Sequence, residues 1–223
     1  MKDKERVLVM RLGKLIIAVI IMALLGMLLG VFTAWSPVLD QYIAAMAYDE
    51  SANRFYGEVH LWCRIIYSSI PFITGAFILG SLGLLVSGRK KIALIILLSL
   101  LLGTGLLVNA AFKDHWGRPR PYQVLRDGKV YAPVWQHDFN QVNDNSFPSG
   151  HASIGFFLGV PFLAYKRRKT AIIVGLIGGG LIGVVRIIQG GHYLSDVVFC
   201  GFFVWLAAEL VVYMVNKTIR EVV

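Results

Sequence analysis

From Ile92 to Phe112 the chain runs without a single Asp, Glu, Lys, Arg or His, and that stretch decides the solvent in which the protein folds. A helix needs roughly 20 apolar residues to cross a bilayer; Leu15–Leu39 and Ile65–Gly88 are further runs at or above that length. Three shorter runs follow, Ala152–Tyr165, Thr170–Val185 and Val197–Asn216, the last interrupted by Glu209. Ala152–Tyr165 reaches spanning length if Phe147–His151 also lies at membrane depth, where polar groups are tolerated only when buried in protein or lining a wet cavity. With 57% hydrophobic and 16% charged residues, the composition lies outside that of soluble globular domains. The pattern predicts an all-α integral membrane protein, a single domain over 1–223 with six transmembrane helices at about 15–37, 65–87, 92–112, 149–165, 170–188 and 196–216.

Orientation follows from the basic residues. Five precede the first span (Lys2, Lys4, Arg6, Arg11, Lys14), Arg89, Lys90 and Lys91 join the second and third, "KRRK" (166–169) joins the fourth and fifth, and Lys217 and Arg220 follow the sixth, so 14 of the 22 fall on one side. Both termini are expected in the cytoplasm. The net charge of +9 is then explained by this asymmetry and by contacts to anionic lipid, and calls for no nucleic-acid partner. The apolar N-terminal run is longer than a signal-peptide core and lacks a small-x-small cleavage site, so it reads as a retained anchor. Cys63 and Cys200 fall at or within spans and read as apolar packing residues rather than a disulfide.

Two outer loops are long. The first, 40–64, has room for a short interfacial helix, with Trp35, Tyr42, Tyr48, Phe55, Tyr56 and Trp62 as aromatic anchors. The second runs from Lys113 to Ser146, too long for a plain connector. Lys113, Arg118, Arg120, Arg126, Lys129 and Arg186 fall on this outer side, against the rule that oriented the chain. A bound anion would account for them.

Three clusters reach that face: "KDHWGRPRP" (113–121), "PSGH" (148–151) and "RIIQGGHYLSD" (186–196). Lys113, Arg120 and Arg186 supply the point charge and the two-pronged donors that suit a phosphoryl group. Ser149 and Gly150 offer backbone N–H groups at a helix start, which favours anions. His192 and Asp196 are four apart, so a helix beginning near His192 would let the carboxylate hold one imidazole nitrogen and free the other to attack phosphorus. His151 is then available as the acid for the leaving alkoxide and the base for water. The histidines and carboxylates show no metal-ligand spacing, so neither metal nor cofactor is expected.

These clusters resemble the three-part signature of the type 2 phosphatidic acid phosphatase superfamily, K-x6-R-P, P-S-G-H and S-R-x5-H-x3-D. Lys113 with Arg120-Pro121, Pro148 to His151, and Arg186 with His192 and Asp196 match in spacing; the serine before the third-motif arginine is Val185 here. The resemblance implies a metal-independent lipid phosphate phosphatase at the outer membrane–water interface of a bacterial inner membrane. It implies His192 as nucleophile, Asp196 as its orienting partner, His151 as acid and base, and Lys113, Arg120, Ser149, Gly150 and Arg186 around the phosphate. "FKDHWGRPRP" and "QGGHYLSDVVFCG" (189–201) look most like lipid A phosphatases of the 4'-type. Phosphatidylglycerophosphate, undecaprenyl diphosphate and phosphatidate are alternative substrates, a lipid alcohol in place of water would make the enzyme a phosphotransferase, and a lipid-phosphate binder or transporter is the non-enzymatic alternative.

Outside the signature, His115, Trp116 and Arg118 stand either as headgroup contacts or as structural parts of the loop. Glu209 reads as an interhelical hydrogen-bonding residue toward the cytoplasmic half. "SLLLGTG" (99–105) and "GLIGGG" (175–180) read as close helix contacts. Membrane lipids are the partners expected, and the sequence leaves the oligomeric state open.

Overall fold

The computed structural model describes residues 33–138, 140 and 144–222; the predicted first span lies almost wholly outside them. A helix covers 33–46 (α1), and a two-stranded antiparallel hairpin, β1 Tyr48–Asp49 with β2 Arg54–Phe55, follows it. Then come α2 Tyr56–Val59, α3 Leu61–Val86 and α4 Lys90–Ser99, which runs on as a π-helical segment, Leu100–Lys113. The outer loop carries α5 Pro121–Leu125, and the chain closes with α6 Gly150–Phe157, α7 Val160–Ala164, α8 Arg168–Ile188 and α9 Leu194–Val222.

Among the described residues four helices are long and apolar enough to cross a membrane: Leu61–Val86, Lys90–Lys113, Arg168–Ile188 and Leu194–Thr218. The predicted fourth span is shorter, Gly150–Ala164, and is broken between α6 and α7 near Leu158–Gly159. Its start, at Phe147 to Gly150, is buried in protein, the condition under which polar groups are tolerated at depth.

Lipid is as apolar as leucine, so membrane helices associate through close packing rather than burial from water. Here α6 lies against α8 through glycines: a Cβ on Gly155 would stand 2.5 Å from the Gly178 carbonyl oxygen, and one on Gly159 would stand 2.2 Å from that of Ala171. The "GLIGGG" stretch therefore makes the contact expected of it. Around this seam Val108, Ile154, Phe157, Ile182, Cys200 and Val204 belong to one continuous core. Cys63 and Cys200 are buried free thiols. The outward side of α3, by contrast, presents Phe72, Leu79 and Val86 to the surroundings.

Glu209 accepts from Arg168 at the start of α8, so the interhelical bond expected of it is an ion pair. Phe55, expected among the interfacial aromatics, is instead fully buried beneath Gly190, while Trp35, Tyr42, Tyr56 and Trp62 are exposed. The loop 40–64 holds the end of α1, the hairpin, the one-turn helix α2 and the start of α3.

Adding a methyl to the α6–α8 seam forces backbone apart, and overpacking of this kind costs about 1–3 kcal/mol. Gly155→Ala is expected to lower the thermal midpoint of the purified protein in detergent, whereas Gly80→Ala, whose Cβ would meet nothing within 4 Å, is expected to leave it unchanged.

Candidate active site

The outer ends of the π-segment, α6, α8 and α9 converge. Lys113 closes the π-segment, and a Cβ on Gly150 would stand 3.0 Å from its Nζ and 2.5 Å from Asn109 Oδ1, so only glycine admits both side chains to the first turn of α6. Arg120 precedes α5, where Gln123 Oε1 accepts its backbone N–H at 2.7 Å. The Tyr122 N–H donates to the Gly190 carbonyl at 3.0 Å, which ties the first cluster to the third. Arg186 occupies the last turn of α8, and Gly191 leaves room for it: a Cβ there would stand 2.1 Å from the guanidinium.

Lys113, Arg120 and Arg186 are close enough to repel one another, and the charge of each acts on His151. Among the described residues none of the three cations is ion-paired with a carboxylate. Arg120 donates to Asn145 Oδ1 and Arg186 to Gln189 Oε1, both at 2.6 Å, and the Nε of each is buried without a partner. Buried donors without acceptors are costly, and three uncompensated cations more so. A tetrahedral anion would satisfy both.

The histidines differ in setting. His151 stacks on Tyr67 of α3 with ring centroids 4.3 Å apart, and Arg186 lies over the same tyrosine at 4.7 Å. His192 is 1% exposed, and its Nδ1 lies 2.5 Å from the Ser146 carbonyl oxygen but 3.8 Å from Asp196 Oδ2. The hydrogen bond at Nδ1 therefore goes to Ser146, with the Asp196 carboxylate beside it at ion-pair distance. The reason is local: α9 begins at Leu194, so His192 precedes the helix and loses the shared face that four-residue spacing would give it. Asp196 reaches the same place indirectly, accepting from Ser146 Oγ at 2.6 Å and from the Tyr193 N–H at 2.8 Å. With Nδ1 as donor to Ser146, the Nε2 lone pair is the nucleophilic one.

Ser149 departs from its expected role, and Arg118 and Trp116 take the structural one of their two expected roles. Ser149 is fully buried, its N–H donates to the Asp196 carbonyl at 3.3 Å and its Oγ accepts from the Ala152 N–H; the N–H groups of Gly150 and His151 remain at the start of α6. Arg118 is no headgroup contact: it is fully buried and bonded to Asp196, Asp40, Ser195, Tyr131 and the Ala132 carbonyl. Trp116 donates to the Val134 carbonyl at 2.9 Å and packs on Phe112 and Phe147, a loop-holding role. His115 is exposed, and Val185 is buried.

Beside Lys113 a cavity of 830 Å³ opens between α3 and the π-segment, with Lys113, His151 and Asn109 forming its polar part and Ile78, Leu97 and Leu101 on its apolar walls. Tyr67, Asn109, Ser146 and Asp40 were not signalled by the motifs. Among the described residues no group of three His, Cys, Asp or Glu side chains could hold a metal ion.

Residues 92–220 match the PAP2 superfamily. The chain is 38% identical over 200 residues, 81% of its length and 90% of the relative's, to a lipid A 4'-phosphatase of Francisella tularensis subsp. novicida. It is 34% identical over 127 residues, 55% of its length and 52% of the relative's, to a lipid A 4'-phosphatase of Rhizobium leguminosarum. It is 33% identical over 113 residues, 46% of its length and 48% of the relative's, to a phosphatidylglycerophosphatase B of Bacillus subtilis. No solved structure matches it.

Burial pushes His192 down to about 3, against the opposing pull of Asp196. The unfolded chain takes up a proton near pH 6.5 that the folded imidazole refuses, so stability should fall as pH drops from about 6.5 toward 3. Thermal unfolding in detergent between pH 4 and 7 should show a steeper decline for the wild type than for His192→Asn; parallel slopes would contradict a neutral, buried His192.

Proposed function

The chain belongs to the PAP2 superfamily and is a phosphatase, a phosphoric monoester hydrolase, and we propose that it removes a phosphate from a membrane lipid through a phosphohistidine at His192. The observation that carries this reading is the group of three cations, none ion-paired with a carboxylate among the described residues, beside two histidines, with Lys113 and His151 also lining an apolar cavity. The lipid's chains would occupy that cavity and its phosphate would meet Lys113, Arg120, Arg186 and the N–H groups of Gly150 and His151.

His192 Nε2 attacks phosphorus in line as the P–O bond to the lipid breaks, and protonated His151 gives its proton to the departing oxygen. Water then attacks the phosphohistidine, losing a proton to His151, the P–N bond breaks and inorganic phosphate leaves. The cations stabilise charge on the equatorial oxygens throughout, and Ser146 and Asp196 stabilise the imidazolium that forms at Nδ1.

Lipid A is the proposed substrate, on the strength of its named relatives in Francisella and Rhizobium; phosphatidylglycerophosphate is the second reading, from the Bacillus relative. Six spans with both termini in the cytoplasm would put the site at the outer face of a bacterial inner membrane, where such lipids reside. Phosphate release from lipid A, phosphatidylglycerophosphate, undecaprenyl diphosphate and phosphatidate, measured side by side in detergent with EDTA, tests this. Release should persist in EDTA, rank lipid A first and fall by about a thousand-fold or more in His192→Ala. A different ranking overturns the substrate, and an active His192→Ala overturns the mechanism.

A further inference from the structure

The Asp40 carboxylate lies on α1, far in sequence from every motif, yet it meets the catalytic turn. Its Oδ1 accepts the Ser195 N–H at 2.9 Å, and its Oδ2 accepts from Ser195 Oγ at 2.5 Å and from Arg118 at 2.9 Å. Ser195 stands in the first turn of α9, where N–H groups lack intrahelical acceptors and a negative charge is favoured. Asp40 thus caps that helix from a distant element.

Arg118 completes the link. Its NH1 donates to Asp196 Oδ1 at 2.5 Å and to Ser195 Oγ at 2.8 Å, its NH2 to Asp40 and at 3.1 Å to Tyr131, and its Nε to the Ala132 carbonyl at 2.9 Å. The guanidinium lies over Tyr193 at 4.5 Å, and Arg118, Asp40 and Asp196 side chains are all 0% exposed. One cation between two carboxylates leaves a net negative charge in a dry site. Were Arg118 paired with Asp196 alone, it would cancel the charge that Asp196 directs through Ser146 at the His192 imidazolium.

We infer that Asp40 and Arg118 are positioning residues of the phosphatase: Asp40 shares the Arg118 charge, so that Asp196 and Ser146 hold the His192 ring and stabilise its cation during phosphoryl transfer. The inference rests on His192 as nucleophile. It ties the turnover of the site to α1, which lies outside the family match at 92–220.

The test compares wild type, His192→Ala, Asp40→Asn, Asp40→Glu and Ser195→Ala in steady-state hydrolysis of lipid A, with vanadate titration counting intact sites and thermal unfolding reporting the fold. Asp40→Asn keeps the shape and removes the charge. It should lower kcat per vanadate-binding site by about ten- to a hundred-fold, the range seen when outer partners that orient a histidine are lost, with KM within about two-fold. Asp40→Glu should recover part of the loss. If Asp40→Asn fails to fold, Ser195→Ala, which removes the hydroxyl shared by Asp40 and Arg118, should show a smaller fall of the same kind. Unchanged kcat per site in the folded variants, beside an inactive His192→Ala, overturns the inference; an active His192→Ala overturns it together with the nucleophile assignment.

Discussion

Three cations with no ion-paired carboxylate among the described residues are held together at the end of the helical bundle, and most of the surrounding structure exists to make that tolerable. Like charges repel most strongly where solvent is scarce. Lys113, Arg120 and Arg186 are therefore fixed from three separate elements by neutral acceptors, Asn145 and Gln189 among them, and by the face of Tyr67. Among the described residues no carboxylate is ion-paired with any of the three, and only Asp114, close to Lys113, partly favours its charge. An anion bound there would relieve the repulsion, and a phosphoryl group supplies one.

The opposite solution stands beside it. Arg118 is surrounded by two carboxylates, a serine and a tyrosine, and burial works against its charge less strongly than Asp196 and Asp40 support it, so it stays a permanent cation. The two arginines of "GRPRP", two residues apart, thus point to opposite tasks: Arg118 into a neutralising framework, Arg120 toward the open cluster. Ser146 joins the two regions, since its hydroxyl donates to Asp196 while its carbonyl accepts from His192. The parallel bridge between Arg118 and Asn145 pins both ends of the outer loop beside it.

Much of this was legible in the sequence. Uninterrupted apolar runs gave the long helices, and the spacing within three motifs brought Lys113, Arg120, His151, Arg186 and His192 to one end of the bundle. What was not legible depends on contacts between distant segments. Nothing near Asp40 signals that it caps a helix starting at Leu194, and nothing in "RIIYSS" marks Tyr67 as the platform for His151. Four-residue spacing placed Asp196 on His192 because it presumed a helix already formed at His192; the turn at Gly190 and Gly191 delays that helix, and a carbonyl takes the place of the carboxylate. Phe55 looked interfacial by residue type, but the positive φ of Gly190 creates the recess it fills.

The proposed chemistry requires phosphorus to become bonded to one nitrogen of one residue. Wild-type protein mixed with lipid substrate labelled in its phosphate, quenched in alkali within the first turnovers and mapped by peptide mass, tests this directly. The account predicts a phosphoryl group on His192 that survives base, is lost in acid and is missing in His192→Ala. Label on another residue, or turnover by wild type with no phosphoprotein at any time point, would contradict it.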